Sequence, residues 1–307
     1  MLNAKKILVT GGSGMIGRHL QEIIPEAIYI SSKNYDLTSE KNVIQMFSDL
    51  KPDCVIHCSA KVGGIIDNIN KPAEYFDDNI LMNTLLLKYS YKYGVKQFMG
   101  ILSTCIYPDI VPSYPLKETD LHLGPPTQTN FSYGYAKRCL AVQIDAYNKQ
   151  YGTNYNYIIP CNLYSEYDKF GENSHFIAAL IKKIHYANIH NEKSIILFGT
   201  GKPLRQFMYT KDLAKIIKLI VENNITENIN VATQENSSIN QIANIALDAC
   251  DAKHLKIIYD ETKPDGQYRK DVSINKLLNI FPNFKPTTLY NGIKKTYNYI
   301  NKFNINV

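Results

Sequence analysis

Tyr133 and Lys137 stand four residues apart, which puts both on one face of any helix that contains them. A phenol beside an ammonium is a usable acid or base near neutral pH, because the cation favours the phenolate and lowers its pKa. Ser103 lies 30 residues upstream, where its hydroxyl could bind the same substrate oxygen. Taken alone, such a Tyr-x-x-x-Lys pair is more often an exposed helix pair. A second feature changes that reading: Gly11, Gly14 and Gly17 form a GxxGxxG run around Met15 and Ile16. Missing side chains there would let a pyrophosphate reach backbone amides at a helix N-terminus, whose dipole favours its charge. An ordinary tight strand-to-helix turn is the plain alternative.

These residues need particular elements to hold them. Ile7 to Thr10 reads as a short apolar strand before the glycines. Ile16, Leu20, Ile23 and Ile24 then repeat at helical spacing until Pro25. Ala27 to Ser31, Cys54 to Cys58, Gln97 to Ser103 and Tyr155 to Ile159 read as further strands. Helices are expected around Val43 to Leu50, from Pro72 to Tyr93, and from Ser132 to Gln150, where Ala136, Leu140, Ile144 and Tyr147 share a stripe. Repeated β-α-β units predict an α/β fold with a Rossmann-type doubly wound parallel sheet. Ligands bind such sheets at the carboxyl ends of strands, which is where Ser103 would lie. Beyond Pro160 the pattern loosens into helices (Phe176 to Tyr186, Asp212 to Glu222, Ile239 to Cys250) and short strands such as Ile195 to Phe198. The expected division is residues 1–160 as a dinucleotide-binding domain and 161–307 as mainly a smaller α/β substrate domain, some of its segments returning to the first.

Composition narrows the function. In 307 residues, 45% hydrophobic and 20% charged side chains leave ample core for one large domain or two moderate ones. The net charge is +6, and the 34 basic residues are scattered, which argues against nucleic acid and suits an anionic small substrate. Cys54, Cys58, Cys105, Cys139, Cys161 and Cys250 form no CxxC pair. Buried thiols are favoured over a zinc site around His57. No apolar run approaches the roughly 18 residues of a membrane span. Lys5-Lys6 leads straight into the first strand without a signal-peptide cleavage region. The expectation is a cytoplasmic protein with reduced thiols and no membrane partner. The second strand ends Tyr29-Ile30-Ser31-Ser32-Lys33, without the acid that grips the ribose of NAD. A hydroxyl pair and a lysine suit the 2′-phosphate of NADP(H) better, although Lys33 could equally be a solvated loop residue.

The glycine run with Ser103, Tyr133 and Lys137 resembles the extended short-chain dehydrogenase/reductase superfamily. Lys61-Val62-Gly63-Gly64, Ser103-Thr104-Cys105-Ile106-Tyr107-Pro108, Asn162-Leu163-Tyr164, Glu172-Asn173-Ser174-His175, Pro203-Leu204-Arg205-Gln206-Phe207 and Lys263-Pro264-Asp265-Gly266 are similar, in order and spacing, to the GDP-L-fucose synthase family. That resemblance covers about residues 5–275. It implies inversion of carbons 3 and 5 of a GDP-linked 4-keto-6-deoxy sugar, then reduction of the ketone with NADPH. Cys105 matches the epimerisation base and His175 the acid, Arg205 a substrate-binding arginine, and Lys61, Asn162 and Asp265 substrate-pocket positions. The implied cofactor shell is Gly11, Gly14, Met15, Ile16, Gly17, Ser32, Lys33, Asp36, Leu37 and Ala60, with Tyr133, Lys137 and His175. A homodimer through a four-helix bundle follows from the resemblance alone. One departure is plain: Ser165-Glu166, followed by Tyr167, stands where the family has Gly-Pro after Asn-Leu-Tyr. It leaves open a reductase without epimerase activity, acting on a GDP-4-keto-heptose for surface polysaccharides. A redox sensor that binds NADP(H) without turnover is the reading from another class.

Overall fold

In a computed structural model the described residues are 5–171, 174–263 and 265–303. Glu172, Asn173 and Pro264, each part of a string quoted above, lie outside them. The chain opens with β1 (Ile7–Thr10), α1 (Met15–Ile23), β2 (Ile28–Ile30), α2 (Glu40–Leu50) and β3 (Cys54–His57). It continues through α3 (Ile65–Asn70), α4 (Pro72–Lys92), β4 (Gln97–Ile101), α5 (Phe131–Tyr151) and β5 (Asn156–Pro160). Next come β6 (Asn162–Tyr164), α6 (Phe176–Ile189), β7 (Ser194–Phe198), β8 (Leu204–Arg205), β9 (Phe207–Tyr209) and α7 (Thr210–Glu222). The last elements are β10 (Ile229–Val231), β11 (Ser237–Ser238), α8 (Ile239–Ala249), β12 (Lys256–Asp260), α9 (Asn275–Ile280) and α10 (Leu289–Phe303). Among the described residues no helix is long and apolar enough to cross a membrane.

Two compact units result. Among the described residues, those up to Pro112, Lys117–Pro160 and Lys211–Val231 form the first; Ser113–Leu116, Cys161–Thr210 and those from Ala232 form the second. The chain therefore leaves the first unit at Pro160 and returns to it for α7 and β10.

The first unit is built on a six-stranded sheet in the order β10-β5-β4-β3-β1-β2. Every pair is parallel, with Leu8 beside both Ile28 and Val55, and Ile158 beside Ile229. Because helices cover both faces, β1, β3 and β4 are buried along their whole length, which explains their unalternating apolar runs. Pro72 begins α4, where its missing N–H costs nothing, and Ser39 caps α2 by accepting from the Asn42 amide. On α5, Ala136, Leu140 and Ile144 are fully buried. Each large aliphatic side chain hidden this way contributes about 1.5–3 kcal/mol, enough to hold the helix against its neighbours.

Among the described residues the second unit has three two-stranded sheets: β6 with β9 and β7 with β12, both parallel, and β8 with β11, antiparallel. Its core lies among helices, with Ile177, Ile181, Ile184, Ile242, Ala246, Ile293 and Ile300 all fully buried.

Candidate active site

The glycine turn closes over the end of β3. Gly11 has a φ of +69°, and a Cβ there would sit 3.0 Å from the Cys58 carbonyl carbon and the Ser59 nitrogen. A side chain at Gly17 would fall 2.6 Å from Gly12 Cα, so the first turn of α1 packs on the loop only through glycine. Gly12 N donates to Ile30 O (2.7 Å) and Gly14 N to Gly11 O (2.9 Å), fixing the loop beside β2. Met15 and Ile16, half-buried, open α1, and Ala60 is half-buried beyond β3. Ser32 and Lys33 are exposed just past β2. Leu37 is buried, while Asp36 turns its carboxylate onto the Thr38 amide (2.9 Å) and hydroxyl (2.7 Å), which hold it below the usual carboxylate range. Bare backbone at a helix N-terminus, with an exposed lysine at the neighbouring strand end, fits a phosphorylated dinucleotide.

Ser103, Cys105, Tyr133 and Lys137 come together in the same unit. β4 delivers Ser103, and a 3-10 turn, Thr104–Ile106, follows at once. Ser103 Oγ accepts from the Cys105 amide at 3.5 Å. Helix α5 packs on this turn through Gly134, where a Cβ would lie 2.8 Å from Cys105 O. Arg138 clamps the same place, donating Nε to Ile106 O (2.8 Å) and Nη1 to Gly124 O (2.8 Å). Lys137 is buried, with Nζ donating to Ile101 O at 2.9 Å. An ammonium has three protons, so two remain for a ligand.

The electrostatics correct one expectation. Burial, with Cys105 adding to it, raises the Tyr133 phenol well above its ordinary value; Lys137 does not lower it. Burial also pushes Lys137 down to about 8, and Cys58 up to about 12. Removal from water is the leading cause for both groups. The phenol therefore keeps its proton at neutral pH, the state a general acid needs. His57 is committed at both ring nitrogens, to Thr10 Oγ1 (2.9 Å) and Asn83 Oδ1 (2.9 Å), and burial drops it to about 3. Asn83 continues to Ala136 O (3.2 Å), tying β1 and β3 to α5. Among the described residues no cluster of three His, Cys, Asp or Glu could hold a metal. Lys61 Nζ is shared between Glu74 and Asp78, at 2.8 Å each.

The second unit carries the other candidates. His175 is the N-cap residue of α6, and its Nδ1 lies 3.0 Å from Asp168 Oδ1. The ring is 51% exposed, whereas the Asp168 side chain is 4% exposed. A helix N-terminus disfavours a cation by roughly 0.3–1 kcal/mol. The Asp168 carboxylate opposes this, and the imidazole is raised above its ordinary value despite burial and Lys169. Asn162 Nδ2 donates to Gln206 O (2.9 Å), and Arg205 to Leu204 O (2.8 Å). Both Asp265 oxygens accept from Thr200, its amide and its hydroxyl, at 2.7 Å. Gln206 is buried, bonding Thr233 O (2.8 Å) and Val272 N (2.9 Å), and so seats the strand that presents Arg205. Asp168, Arg138, Gly134 and Gln206 escaped sequence reasoning. Only Gly134, beside Tyr133, carried a signal: a glycine inside a helix is out of place unless backbone must approach it.

With this geometry in hand, comparison with known proteins is direct. The NAD dependent epimerase/dehydratase family matches residues 7–232. GDP-L-fucose synthase of Dictyostelium discoideum is 36% identical over 95% of this chain and 94% of that protein. The chain belongs to the GDP-L-fucose synthase branch of the NAD dependent epimerase/dehydratase family. GDP-L-colitose synthase of Yersinia pseudotuberculosis is 34% identical over 96% of this chain and 97% of its own. The crystal structure of a GDP-L-fucose synthetase from Naegleria fowleri bound to NADP superposes with a TM-score of 0.88 at 33% identity, covering 98% of this chain and 94% of that one. The family thus accommodates more than one GDP-sugar product on one fold, so membership alone leaves the sugar to be argued from the site.

Proposed function

We propose that this enzyme reduces the C4 ketone of a GDP-linked 4-keto-6-deoxy-hexose with NADPH, after inverting C3 and C5. The observation that carries the proposal is the seating of α5 on the Ser103–Cys105 turn through Gly134, which gathers a hydroxyl, a thiol, a protonated phenol and a buried ammonium. Relatives named GDP-L-fucose synthase and a neighbour bound to NADP support the substrate class and the cofactor. NADPH, held by Gly11, Gly14, Met15, Ile16 and Gly17 with Ser32, Lys33, Asp36, Leu37 and Ala60 around it, would supply hydride to C4. Tyr133 donates its phenolic proton to the C4 oxygen, and Ser103 hydrogen-bonds that oxygen. Lys137, with two protons to spare on its ammonium, would hold ribose hydroxyls of the cofactor. Cys105 removes the proton beside the ketone, and His175 returns one to the opposite face. Arg205 meets the diphosphate as a fork, and Lys61, Asn162 and Asp265 complete the sugar-nucleotide contacts.

The test is to supply GDP-4-keto-6-deoxy-mannose and NADPH, follow NADPH oxidation and identify the product by NMR. Oxidation with inverted product is expected. No oxidation with any GDP-4-keto sugar would leave an NADP(H)-binding sensor as the better reading. A reductase without epimerase activity on a GDP-4-keto-heptose is the second reading, because Ser165-Glu166 stands in place of the family's Gly-Pro in the loop that leads to His175. NADPH oxidation without inversion would select it. A homodimer is supported by exposed Leu81 and Tyr91 on α4 and Val142 and Tyr151 on α5, with Tyr91 stacked on Tyr151 at 4.2 Å; light scattering checks it. Six cysteines outside any disulfide and an NADPH requirement support a cytoplasmic setting.

A further inference from the structure

The buried carboxylate of Asp168 has no task in the reaction just described, and its environment is unusual. Oδ1 takes His175 Nδ1 at 3.0 Å and the Lys169 amide at 2.8 Å. Oδ2 is buried and, among the described residues, has no hydrogen-bond partner. A carboxylate that is withdrawn from water with one oxygen bare is tolerated when a cation lies against it. His175, whose pKa is raised by its hydrogen bond to Asp168, is the group placed to supply that cation. The loop holding Asp168 is built for rigidity. Tyr167 N donates to Ser165 Oγ (3.2 Å) and Asp168 N to Ser165 O (3.1 Å). Glu166 is tied to Tyr209, Tyr167 packs edge-on against Tyr299 at 5.7 Å, and Lys182 Nζ holds Phe170 O at 3.1 Å. The Ser165 and Glu166 ties fall on the stretch that departs from the family's Gly-Pro, and they hold the segment that carries the aspartate.

We propose that Asp168 is the positioning residue for His175: it takes the Nδ1 proton, fixes the ring and keeps it an imidazolium whose Nε2–H is left for the substrate. The assignment rests on the epimerase reading above. In the step it serves, the enolate electron pair forms a new C–H bond with the Nε2 proton, the Nε2–H bond breaks, and the ketone is restored. The neutral ring keeps its Nδ1–H on Asp168 and regains a proton from solvent, which its half-exposed face allows. Three influences set its charge: Asp168 favours the imidazolium, Lys169 and the N-terminus of α6 oppose it. Removing the carboxylate leaves only the opposing two.

The experiment compares the full-length enzyme with Asp168→Asn and Asp168→Glu. Asp168→Asn keeps shape and a hydrogen-bond acceptor but loses the charge. Its His175 titration, followed by NMR and assigned with His175→Gln, should fall to or below the ordinary value of about 6.5. Deuterium uptake from D₂O beside the substrate ketone should drop on the order of 10²-fold at neutral pH, and the alkaline limb of its pH profile should move to lower pH. Asp168→Glu should restore part of both. NADPH affinity and thermal unfolding report whether each variant is folded. Wild-type enzyme without any exchange overturns the epimerase reading and this assignment with it. Wild-type exchange with an unmoved titration and pH profile in Asp168→Asn overturns the assignment alone.

Discussion

Tyr133 and Lys137 in the first unit and His175 in the second are tuned by opposite means. In the first, removal from water dominates: Tyr133 is raised, Lys137 falls to about 8 and His57 to about 3, all with burial as the leading cause. In the second, His175 keeps half its ring in solvent and is raised by one partner, Asp168. Desolvation is a property of the whole packed surround, so it resists salt and single substitutions. A charge pair on a half-exposed ring depends on one carboxylate and is screened. A group that must hold a proton for one defined transfer can be parked in a dry site, whereas a group that must be recharged from solvent each turnover has to stay wet.

The sharpest way to break the comparison is Tyr133→Phe, which removes one hydroxyl and leaves the packing. Reduction measured as NADPH oxidation should fall roughly 10²–10⁴-fold, with binding of NADPH little changed. Next in size is Gly134→Val. Its Cβ would meet Cys105 O at 2.8 Å, so α5 must shift; overpacking of this kind costs about 1–3 kcal/mol. A lowered melting temperature together with lost turnover is expected, and an unchanged one would show that the seat yields. Lys33→Ala tests the exposed cofactor edge. Loss of one charge-assisted contact, about 1.5 kcal/mol, should reduce specificity for NADPH about tenfold while leaving NADH alone.

The smallest effect distinguishes the two tuning modes directly. Raising salt from 0.1 M to about 1 M shortens the screening length from roughly 10 to 3 Å, so the NMR titration of His175 should move down toward its ordinary value. The titration of Lys137, set by burial, should hardly respond. The same pair leaves a faint trace in stability. Because the folded pKa of His175 lies above the unfolded one, its contribution is fully present below about pH 6.5 and is lost as pH rises through the folded value. The advantage in melting temperature over Asp168→Asn should be greatest at low pH in that window and should shrink above it; an advantage that grows with pH would mean the ring is held neutral.

Much of the first unit was readable because its rules are local. The glycine spacing, the apolar runs of β1, β3 and β4, and the stripe Ala136–Leu140–Ile144 each follow from backbone sterics or from a period that two faces of a sheet or one face of a helix impose. β10 was missed, since Ile229–Val231 is three residues long and pairs with β5 only after the chain has left the unit and returned. The C-terminal helix α10 was also missed; its apolar positions Leu289, Ile293, Tyr297 and Ile300 are interleaved with lysines and asparagines, and their burial depends on α6 and α8.

Residue types and spacing were enough to nominate Ser103, Tyr133 and Lys137, because four residues of helix place two side chains on one face whatever else the protein does. Their ionisation was not in the spacing. The expectation that Lys137 would lower the tyrosine considered a pair in isolation, and the fold added a desolvated surround and sent Nζ to the carbonyl of Ile101. Asp168 shows the same limit: seven residues from His175 in sequence, it is no helical neighbour, and only a loop folded back by Glu166, Tyr167 and Phe170 brings its carboxylate to the ring. Sequence spacing decides which side chains share a local element. Burial and the meeting of separate segments are long-range properties of the folded chain, and they decide which of those side chains carries a proton.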